Sequence, residues 1–329
     1  MELFELLKTL AEAFGPSGCE KGVRQVISDL VAPYSDEVTT DVMGNLIVHK
    51  KGPGKKLLFA AHMDSIGIIA THIEEQGYVR FGNLGGLSIT NLVGQSVVFE
   101  NGVRGVIAVA GEKAAKLTDL YVDIGAKDRE EAEKMIKLGD CAVYDAPTYQ
   151  QNGKVYSKYL DNRSGCAILI EALRMITEPK NDLYFVFTVQ EEVGVRGART
   201  STFGIDPVVG IAVDITGSDD TPGANHTCSS VLGKGPGVKV MDSLVICQPQ
   251  VVDWMNAVAQ EKGITVQQDV MRGGGTDAGA IITTRGGVFA GGICVPCRYG
   301  HAPVAVCDLG DIEGCAKLTV ALAESEFPA

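Results

Sequence analysis

Two separated parts of this chain alternate apolar, strand-like runs with segments of helical periodicity. The first 65 residues contain two helical segments followed by strands at 44–49 and 56–61. From about residue 158 onward, strands at 183–189, 208–213 and 287–295 alternate with helices at 163–176, 251–262, 276–284 and 311–326. The run at 56–61 is apolar on both faces, as a central strand requires. This alternation predicts an α/β fold with a mainly parallel sheet covered by helices on both faces.

A stretch of different character separates the two parts. Between residues 68 and 156 short β-like segments are separated by glycines, and Asn101-Gly102 is a strong signal for a hairpin turn. One polar helix, predicted at 127–138, interrupts these segments. We therefore predict one α/β domain formed by residues 1–67 and 157–329, with a β-rich domain inserted at 68–156.

The balance of charge excludes several classes of partner. The chain has 29 Lys and Arg against 41 Asp and Glu, a formal charge of −12. Nucleic acids and anionic membrane surfaces bind proteins of the opposite sign. In addition, no apolar run approaches the roughly 20 residues of a membrane span. We predict neither a nucleic-acid partner nor a membrane partner.

The N-terminus and the cysteines indicate a cytoplasmic location. The first 14 residues have the apolar spacing of an amphipathic helix, but Glu2, Glu5 and Glu12 are not typical of an export signal. The nine cysteines are an odd number with one close pair, Cys294 and Cys297. This pattern predicts free thiols in a reducing compartment, with a redox pair or a structural zinc site as the alternatives for the close pair.

Polar side chains of metal-binding type follow the predicted strands. An open parallel sheet binds its ligands in the crevice at the carboxyl ends of the strands. His62 and Asp64 follow the strand at 56–61, and His301 comes after 287–295. The other candidates are carboxylates at comparable positions: Asp161 at a helix start, Glu191 and Glu192 after 183–189, and Asp214 after 208–213. The predicted fold therefore brings several carboxylates into one crevice.

Carboxylates in one crevice repel one another and need compensating cations. Asp161, Glu191, Glu192 and Asp214 cannot all stay ionised side by side without added positive charge. Two divalent cations would supply it, and a mixed set of nitrogen and oxygen ligands suits zinc, cobalt or manganese. A carboxylate shared by two cations is a known hydrolytic arrangement. One carboxylate of the Glu191-Glu192 pair then stays free to act as a general base.

Eight motifs spread along the chain resemble one family of enzymes. They are FGPSGCE (14–20), AAHMDSIG (60–67), YVDIGAKDREEAE (121–133), YLDNRSG (159–165), QEEVGVRGA (190–198), VDITGSDDTPG (213–223), GGGTDAGAI (273–281) and CRYGHAPV (297–304). Together they are similar to the dinuclear metallo-aminopeptidases, above all to the glutamyl, deblocking and tetrahedral aminopeptidases, some of which are labelled endoglucanases. The resemblance implies a zinc-peptidase-like catalytic domain that removes the N-terminal residue of peptides.

The resemblance also implies a role for each residue of the crevice. Asp161 would bridge two divalent cations, zinc or cobalt, and the peptide bond after it would be cis. The remaining ligands would be His62 and Asp214 on one cation, and Glu192 and His301 on the other.

Two further residues have implied roles beside the cations. Glu191 would be the general base, and Asp64 would orient His62 through the second nitrogen of the imidazole. The chain departs from the family pattern at Ser65, Ala302 and Ala305, and none of these is a ligand position.

The same resemblance implies self-association. The inserted domain at 68–156 would be a dimerisation domain, and the dimers would assemble further into a tetrahedral dodecamer. The partners expected are therefore peptide substrates and other copies of the same chain.

A glycine run near the C-terminal half of the chain is a candidate substrate contact. Gly273-Gly274-Gly275 stands ahead of Thr276 and Asp277, and backbone without side chains lets a substrate approach closely. Gly274, Thr276, Asp277 and the neighbouring polar Arg298 are the predicted substrate-binding residues. The alternative is an ordinary turn before a helix.

Three other functions compete with the aminopeptidase interpretation. The first is a related metal-dependent deacylase or dipeptidase, and the discriminating observation is whether the substrate requires a free α-amine. A polysaccharide hydrolase would use two carboxylates without a metal and aromatic sugar contacts, which one tryptophan and 6 % aromatic residues disfavour. A catalytically silent assembly protein would have lost ligands, yet the ligand set in this sequence is complete.

Overall fold

The computed structural model describes residues 1–328. In this range the helices are α1 Leu3–Glu12, α2 Lys21–Val31, α3 Ile89–Leu92, α4 Arg129–Met135, α5 Leu160–Met175, α6 Arg196–Ile205, α7 Pro249–Glu261, α8 Ala278–Ile282 and α9 Leu309–Ala323. The strands are β1 Glu37–Thr40, β2 Leu46–Lys50, β3 Lys56–His62, β4 Gly67–Ile73, β5 Val79–Leu84, β6 Ser96–Phe99, β7 Arg104–Val109, β8 Leu120–Asp123, β9 Cys141–Tyr144, β10 Tyr149–Gln151, β11 Lys154–Ser157, β12 Asp182–Thr188, β13 Val209–Gly217, β14 Gly237–Met241, β15 Gln267–Val270, β16 Phe289–Arg298 and β17 Ala305–Asp308. They form a large mixed sheet and a separate barrel.

Four parallel strands lie in the middle of the large sheet, in the order β12, β3, β13, β16. On one face Phe59 and Phe185 pack in a core that includes residues of α1, α5 and α9. On the other face Leu58 and Val186 pack with residues of α6 and α8. Burial on both faces explains why these strands are continuous apolar runs. The predicted α/β fold is confirmed.

The strands that flank this parallel centre are antiparallel. β1 and β2 extend the sheet beyond β12, while β17, β11 and β10 extend it beyond β16. β14 pairs antiparallel with the middle of β16, at Ile293 and Cys294, and β15 runs parallel to β14. Several of these strands are joined by short turns, which allow only antiparallel neighbours, because a parallel pair needs a long crossover. Strand periodicity alone did not distinguish the two arrangements.

A closed barrel is inserted between β3 and the rest of the large sheet. Its strands follow the order β4-β5-β8-β7-β6-β9, and β6 and β7 pair across the predicted turn at Asn101-Gly102. The sequence places the end of the insertion at residue 156, but β10 and β11 belong to the large sheet. Val155 of β11 lies opposite Cys307 of β17. The sequence of the short β10–β11 hairpin resembles those of the barrel hairpins. Only its pairing with β17 shows that it belongs to the large sheet.

The cysteines agree with the prediction of free thiols. All nine cysteines are free, and Cys294 and Cys297 lie buried on β16, as predicted. Within residues 1–328 none of the helices combines the length and the apolar character that crossing a bilayer requires.

One glycine of α5 permits close packing on the central sheet. A Cβ atom at Gly165 would lie 2.5 Å from the backbone oxygen of Val213 and 2.3 Å from Oδ1 of Asn162. We expect Gly165→Ala to destabilise the fold by about 1–3 kcal/mol through overpacking. Differential scanning calorimetry would measure this as a lower melting temperature.

Gly204 of α6 is the matched control. A Cβ atom there meets nothing within 4 Å. Because alanine favours a helix over glycine, Gly204→Ala is expected to raise stability by up to about 1 kcal/mol. Equal melting temperatures for the two variants would contradict the packing argument.

Candidate metal centre

The predicted ligands meet where the parallel strands end. His62 is the last residue of β3, and Glu191 and Glu192 follow β12. The sequence predicted Asp214 just after a strand, but β13 runs to Gly217, so Asp214 lies within the strand. The last two ligands come from the start of α5, which carries Asp161, and from the loop after β16, which carries His301.

Asp161 lies at the centre of this group. Its Oδ1 is 3.0 Å from Nε2 of His62, and its Oδ2 is 3.1 Å from Nε2 of His301. On one side Nε2 of His62 is also 3.7 Å from Oδ1 of Asp214. On the other side Nε2 of His301 is 3.5 Å from Oε2 of Glu192. The side chains thus form two groups, each with one histidine and one further carboxylate, that share Asp161. As the resemblance implies, the Asp161-Asn162 peptide bond is cis.

The electrostatics of the crevice favour bound positive charge. Burial and the nearby Asp161 raise the pKa of Glu192 to about 8. Burial alone would lower the pKa of His301, but Asp161 and Glu192 outweigh it and raise this pKa to about 10. In the same way Asp214 and Asp161 overcome burial and raise the pKa of His62 well above its usual range. The site therefore retains protons on groups that would give them up in water.

These residues fit a pair of divalent cations. Within one ligand group the candidate atoms lie within 4.8 Å of one another. Oε1 of Glu192 is buried and has no hydrogen-bond partner among residues 1–328. A buried carboxylate oxygen without a donor is costly unless a cation binds it. Imidazole nitrogens together with carboxylate oxygens are ligands that zinc and similar cations accept.

Asp64 is fully buried beside the ligands, and its carboxylate has several donors. Oδ1 accepts a hydrogen bond from the backbone N–H of Glu191 at 3.0 Å, and Oδ2 accepts one from Glu192 at 3.3 Å and one from the Ser17 hydroxyl at 2.5 Å. Nδ1 of His62 is 3.1 Å from the backbone oxygen of Asp64 and 3.6 Å from its carboxylate. Asp64 therefore holds the Glu191-Glu192 turn with its side chain and contacts His62 mainly through its main chain.

Glu191 is nearly buried and lies next to the ligands without joining either group. Its Oε2 is 3.9 Å from Nε2 of His62. Burial raises the pKa of Glu191 well above its usual value, and the charges of Asp214 and Asp277 add to this effect, while His62 opposes it. A carboxylate with a raised pKa beside a cation site is suited to accept and return a proton.

The barrel contributes backbone to the site, which sequence reasoning missed. Nδ1 of His301 lies 2.8 Å from the backbone oxygen of Gly86, 215 residues away in the chain. Metal-binding histidines use such a contact to hold the ring in place. The paired glycines Gly85-Gly86 within the insertion were the available signal. Ser17 was missed as well, although it lies within the motif FGPSGCE.

The candidate centre lies in a cleft of about 680 Å³. Of the predicted substrate-binding residues, Gly274 lines this cleft. Thr276 and Asp277 are buried and do not line it, and Asp277 accepts a hydrogen bond from Thr188 at 2.6 Å. Arg298 points to Asp220, with N–O distances of 2.7 and 2.6 Å. Of the predicted substrate-binding residues, only Gly274 of the glycine run therefore belongs to the described lining of the cleft.

Comparisons with known proteins find relatives along the whole chain. A family model described as M42 glutamyl aminopeptidase matches residues 44–318. A lysyl aminopeptidase from Pyrococcus furiosus is 37 % identical over 343 residues, covering 99 % of this chain and 98 % of the relative. Aminopeptidase APDkam598 from the archaeon Desulfurococcus kamchatkensis has a similar structure, with a TM-score of 0.95, 38 % identity and coverage of 99 % of this chain and 95 % of that chain. The TET1 peptidase of Pyrococcus horikoshii, which can assemble into a tetrahedron or a large octahedral shell, has a TM-score of 0.90, 33 % identity and coverage of 99 % and 100 %.

The contact between the barrel and the ligands can be tested at Gly85. This residue has φ +77°, and a Cβ atom would lie 2.8 Å from Cγ2 of Ile66 and 3.0 Å from the Glu192 side chain. We expect Gly85→Ala to weaken Zn²⁺ or Co²⁺ binding by about 10–100-fold, the usual effect of disturbing groups that support a ligand. Isothermal titration of the metal-free protein would measure the affinity.

Gly94 provides the control, because it has φ +81° with nothing within 4 Å of a Cβ atom. Both alanines carry the same backbone cost of about 1–2 kcal/mol. Only Gly85→Ala should change the cation affinity, and equal affinities for the two variants would show that the barrel does not support the ligands.

Proposed function

The chain belongs to the M42 glutamyl aminopeptidase family, and we propose that it is an aminopeptidase that works with two divalent cations. The observation that carries this proposal is the position of Asp161 between two ligand groups, each with one histidine and one further carboxylate. His62 and Asp214 would hold one cation, and Glu192 and His301 the other. Asp161 would bridge them.

Zinc or cobalt is the proposed cation. Two histidine nitrogens and three carboxylates give a mixed ligand set that these metals accept, whereas magnesium and calcium prefer oxygen ligands alone. Oε1 of Glu192 has no hydrogen-bond partner among the described residues, and the pKa values of both histidines are raised. Both observations support a site that binds positive charge. Two cations would add four positive charges to a crevice that contains four carboxylates.

The proposed mechanism assigns the proton transfers to Glu191. When bound by these residues, the cations would polarise the scissile carbonyl and make the attacking water more acidic. The Glu191 carboxylate then accepts the proton of the attacking water and delivers it to the leaving amine. Burial raises the pKa of Glu191, which strengthens its carboxylate as a proton acceptor. Asp64 positions Glu191 by accepting the hydrogen bond of its backbone N–H.

The competing functions are less well supported. A deacylase or dipeptidase with a similar centre differs in whether a free α-amine is required, and the family relationship favours the aminopeptidase. A polysaccharide hydrolase would line its groove with aromatic rings. Among the described residues that line the cleft, Tyr299 is the one aromatic side chain.

We further propose that the barrel is a dimerisation domain and that the dimers form a tetrahedral dodecamer. The barrel exposes apolar side chains, with exposed fractions of 44 % for Val93, 47 % for Val106 and 60 % for Leu138. Contiguous exposed apolar groups mark interaction surfaces, and we propose these side chains as candidates for such a surface. The assembly of the similar TET1 peptidase supports the same geometry. A cytoplasmic location stays a prediction from the cysteine pattern.

The role of Glu191 can be tested by Glu191→Gln. Loss of the proton acceptor should lower kcat for aminoacyl p-nitroanilides by about 100–10,000-fold. Mass spectrometry of the metals should still find about two zinc or cobalt ions per chain, because the five ligands are unchanged.

The matched control is Glu261→Gln at an exposed position of α7, with a side chain 68 % exposed. This variant should retain the activity of the parent protein. If Glu191→Gln retained activity within tenfold, another residue would be the base. Chelation should abolish hydrolysis, and added Zn²⁺ or Co²⁺ should restore it.

Self-association through the barrel can be tested at Val106 on β7. The parent protein is expected to have twelve times the mass of one chain in analytical ultracentrifugation. Val106→Lys places a charge in the proposed interface and should reduce that mass. Val42→Lys is the control, since Val42 is fully exposed outside the barrel. A monomeric parent protein would contradict the proposal.

A further inference from the structure

We infer that the cleft accepts a neutral, apolar side chain beside the scissile bond and discriminates against Lys, Arg, Glu and Asp. The inference rests on the proposed aminopeptidase function and specifies its substrate class. Leucine and methionine have the expected chemistry.

All charged groups among the described cleft residues belong to the candidate metal centre. They are His62, Asp161, Glu191, Glu192, Asp214 and His301. The rest of the lining consists of glycines, small polar residues and apolar side chains. A charged substrate side chain placed beyond the cations therefore finds no ionic partner on the described walls.

Part of the cleft lining is apolar, and we call it the apolar wall. It includes Leu244, which is 51 % exposed, together with Met271, Ile215 and Val195. An exposed leucine that lines a cleft offers its apolar surface to a ligand. Side chains of similar character on the substrate would gain from burial against this wall.

The glycine run places the apolar wall close to the backbone. A Cβ atom at Gly275 would lie 2.3 Å from Cδ1 of Leu244, and one at Gly274 would lie 2.7 Å from Cε of Met271. A Cβ atom at Gly279 would meet Cβ of Leu244 at 2.5 Å. These glycines thus provide space for the wall, and Gly274 and Gly275 also line the cleft.

Two cations beside lining residues of the cleft already have carboxylate partners. Arg298 forms two contacts with Asp220, as described above. The fully buried Lys239 lies 2.6 Å from Oδ2 of Asp269, whose Oδ1 accepts a hydrogen bond from Thr216.

One further cation, Arg272, lies near these residues. It lines a separate pocket with Asp219 and His226, and this pocket shares only Cys228 with the cleft. Arg298 and Lys239 are therefore held by carboxylates, and Arg272 lines the adjoining pocket, so none of the three cations belongs to the described lining of the cleft. A charge moved from water into such a site without a partner is disfavoured.

The experiment compares N-terminal residues on the metal-reconstituted, fully assembled protein. The p-nitroanilides of Leu, Met, Lys and Glu serve as substrates. We expect kcat/KM for Leu and Met to exceed the values for Lys and Glu at least about tenfold. Equal or higher values for Lys or Glu would overturn the inference and leave the aminopeptidase function intact. Absence of hydrolysis for all four would overturn both.

A charge added to the wall should change the preference. Leu244→Lys provides a partner for an acidic side chain, so the ratio of kcat/KM for Glu over Leu should rise about tenfold or more. Ile246→Lys is the matched control, because Ile246 is 72 % exposed, two residues away, and does not line the cleft. Met271→Lys repeats the test from a second element. An unchanged ratio in both wall variants would overturn the inference.

Discussion

Repulsion between buried carboxylates is the interaction on which the rest of this structure depends. Asp161, Glu191, Glu192 and Asp214 meet in one crevice although they come from different elements. Asp64 is another buried carboxylate beside this crevice. It needs no cation, because the Ser17 hydroxyl and two backbone N–H groups donate hydrogen bonds to it. Glu192 lacks such donors at Oε1. This difference separates a supporting carboxylate from a candidate ligand.

The lining of the cleft has a charged part and an uncharged part, and both domains contribute residues to this lining. The barrel supplies the backbone oxygen of Gly86 to His301, so it supports the ligands in addition to any role in assembly. Away from the centre, Leu244 and Met271 form an apolar wall supported by glycines. The cations would act on the peptide bond, which every substrate shares. Selection among substrates would then depend on the uncharged part of the cleft.

Much of the fold is predictable because apolar periodicity reports burial. The runs that became β3, β12, β13 and β16 are buried on both faces, and their sequence shows it directly. The antiparallel flanks were not predictable in the same way. The hairpin of β10 and β11 was assigned to the insertion because the sequence pattern of a short hairpin does not reveal which sheet it joins. Its place was decided by pairing with β17, about 150 residues later.

The candidate ligands were named before the structure was known: histidines and carboxylates near strand ends predicted a metal centre, and the resemblance to the family separated five ligands from Glu191 and Asp64. The structure brought all five together. Only the tertiary structure decided which polar residues face the substrate. Arg298 was a plausible contact until its partner Asp220 was known, and Thr276 and Asp277 lie beneath the cleft. Residue type determines what a side chain can bind, but partners that are distant in the chain determine whether it is free to do so.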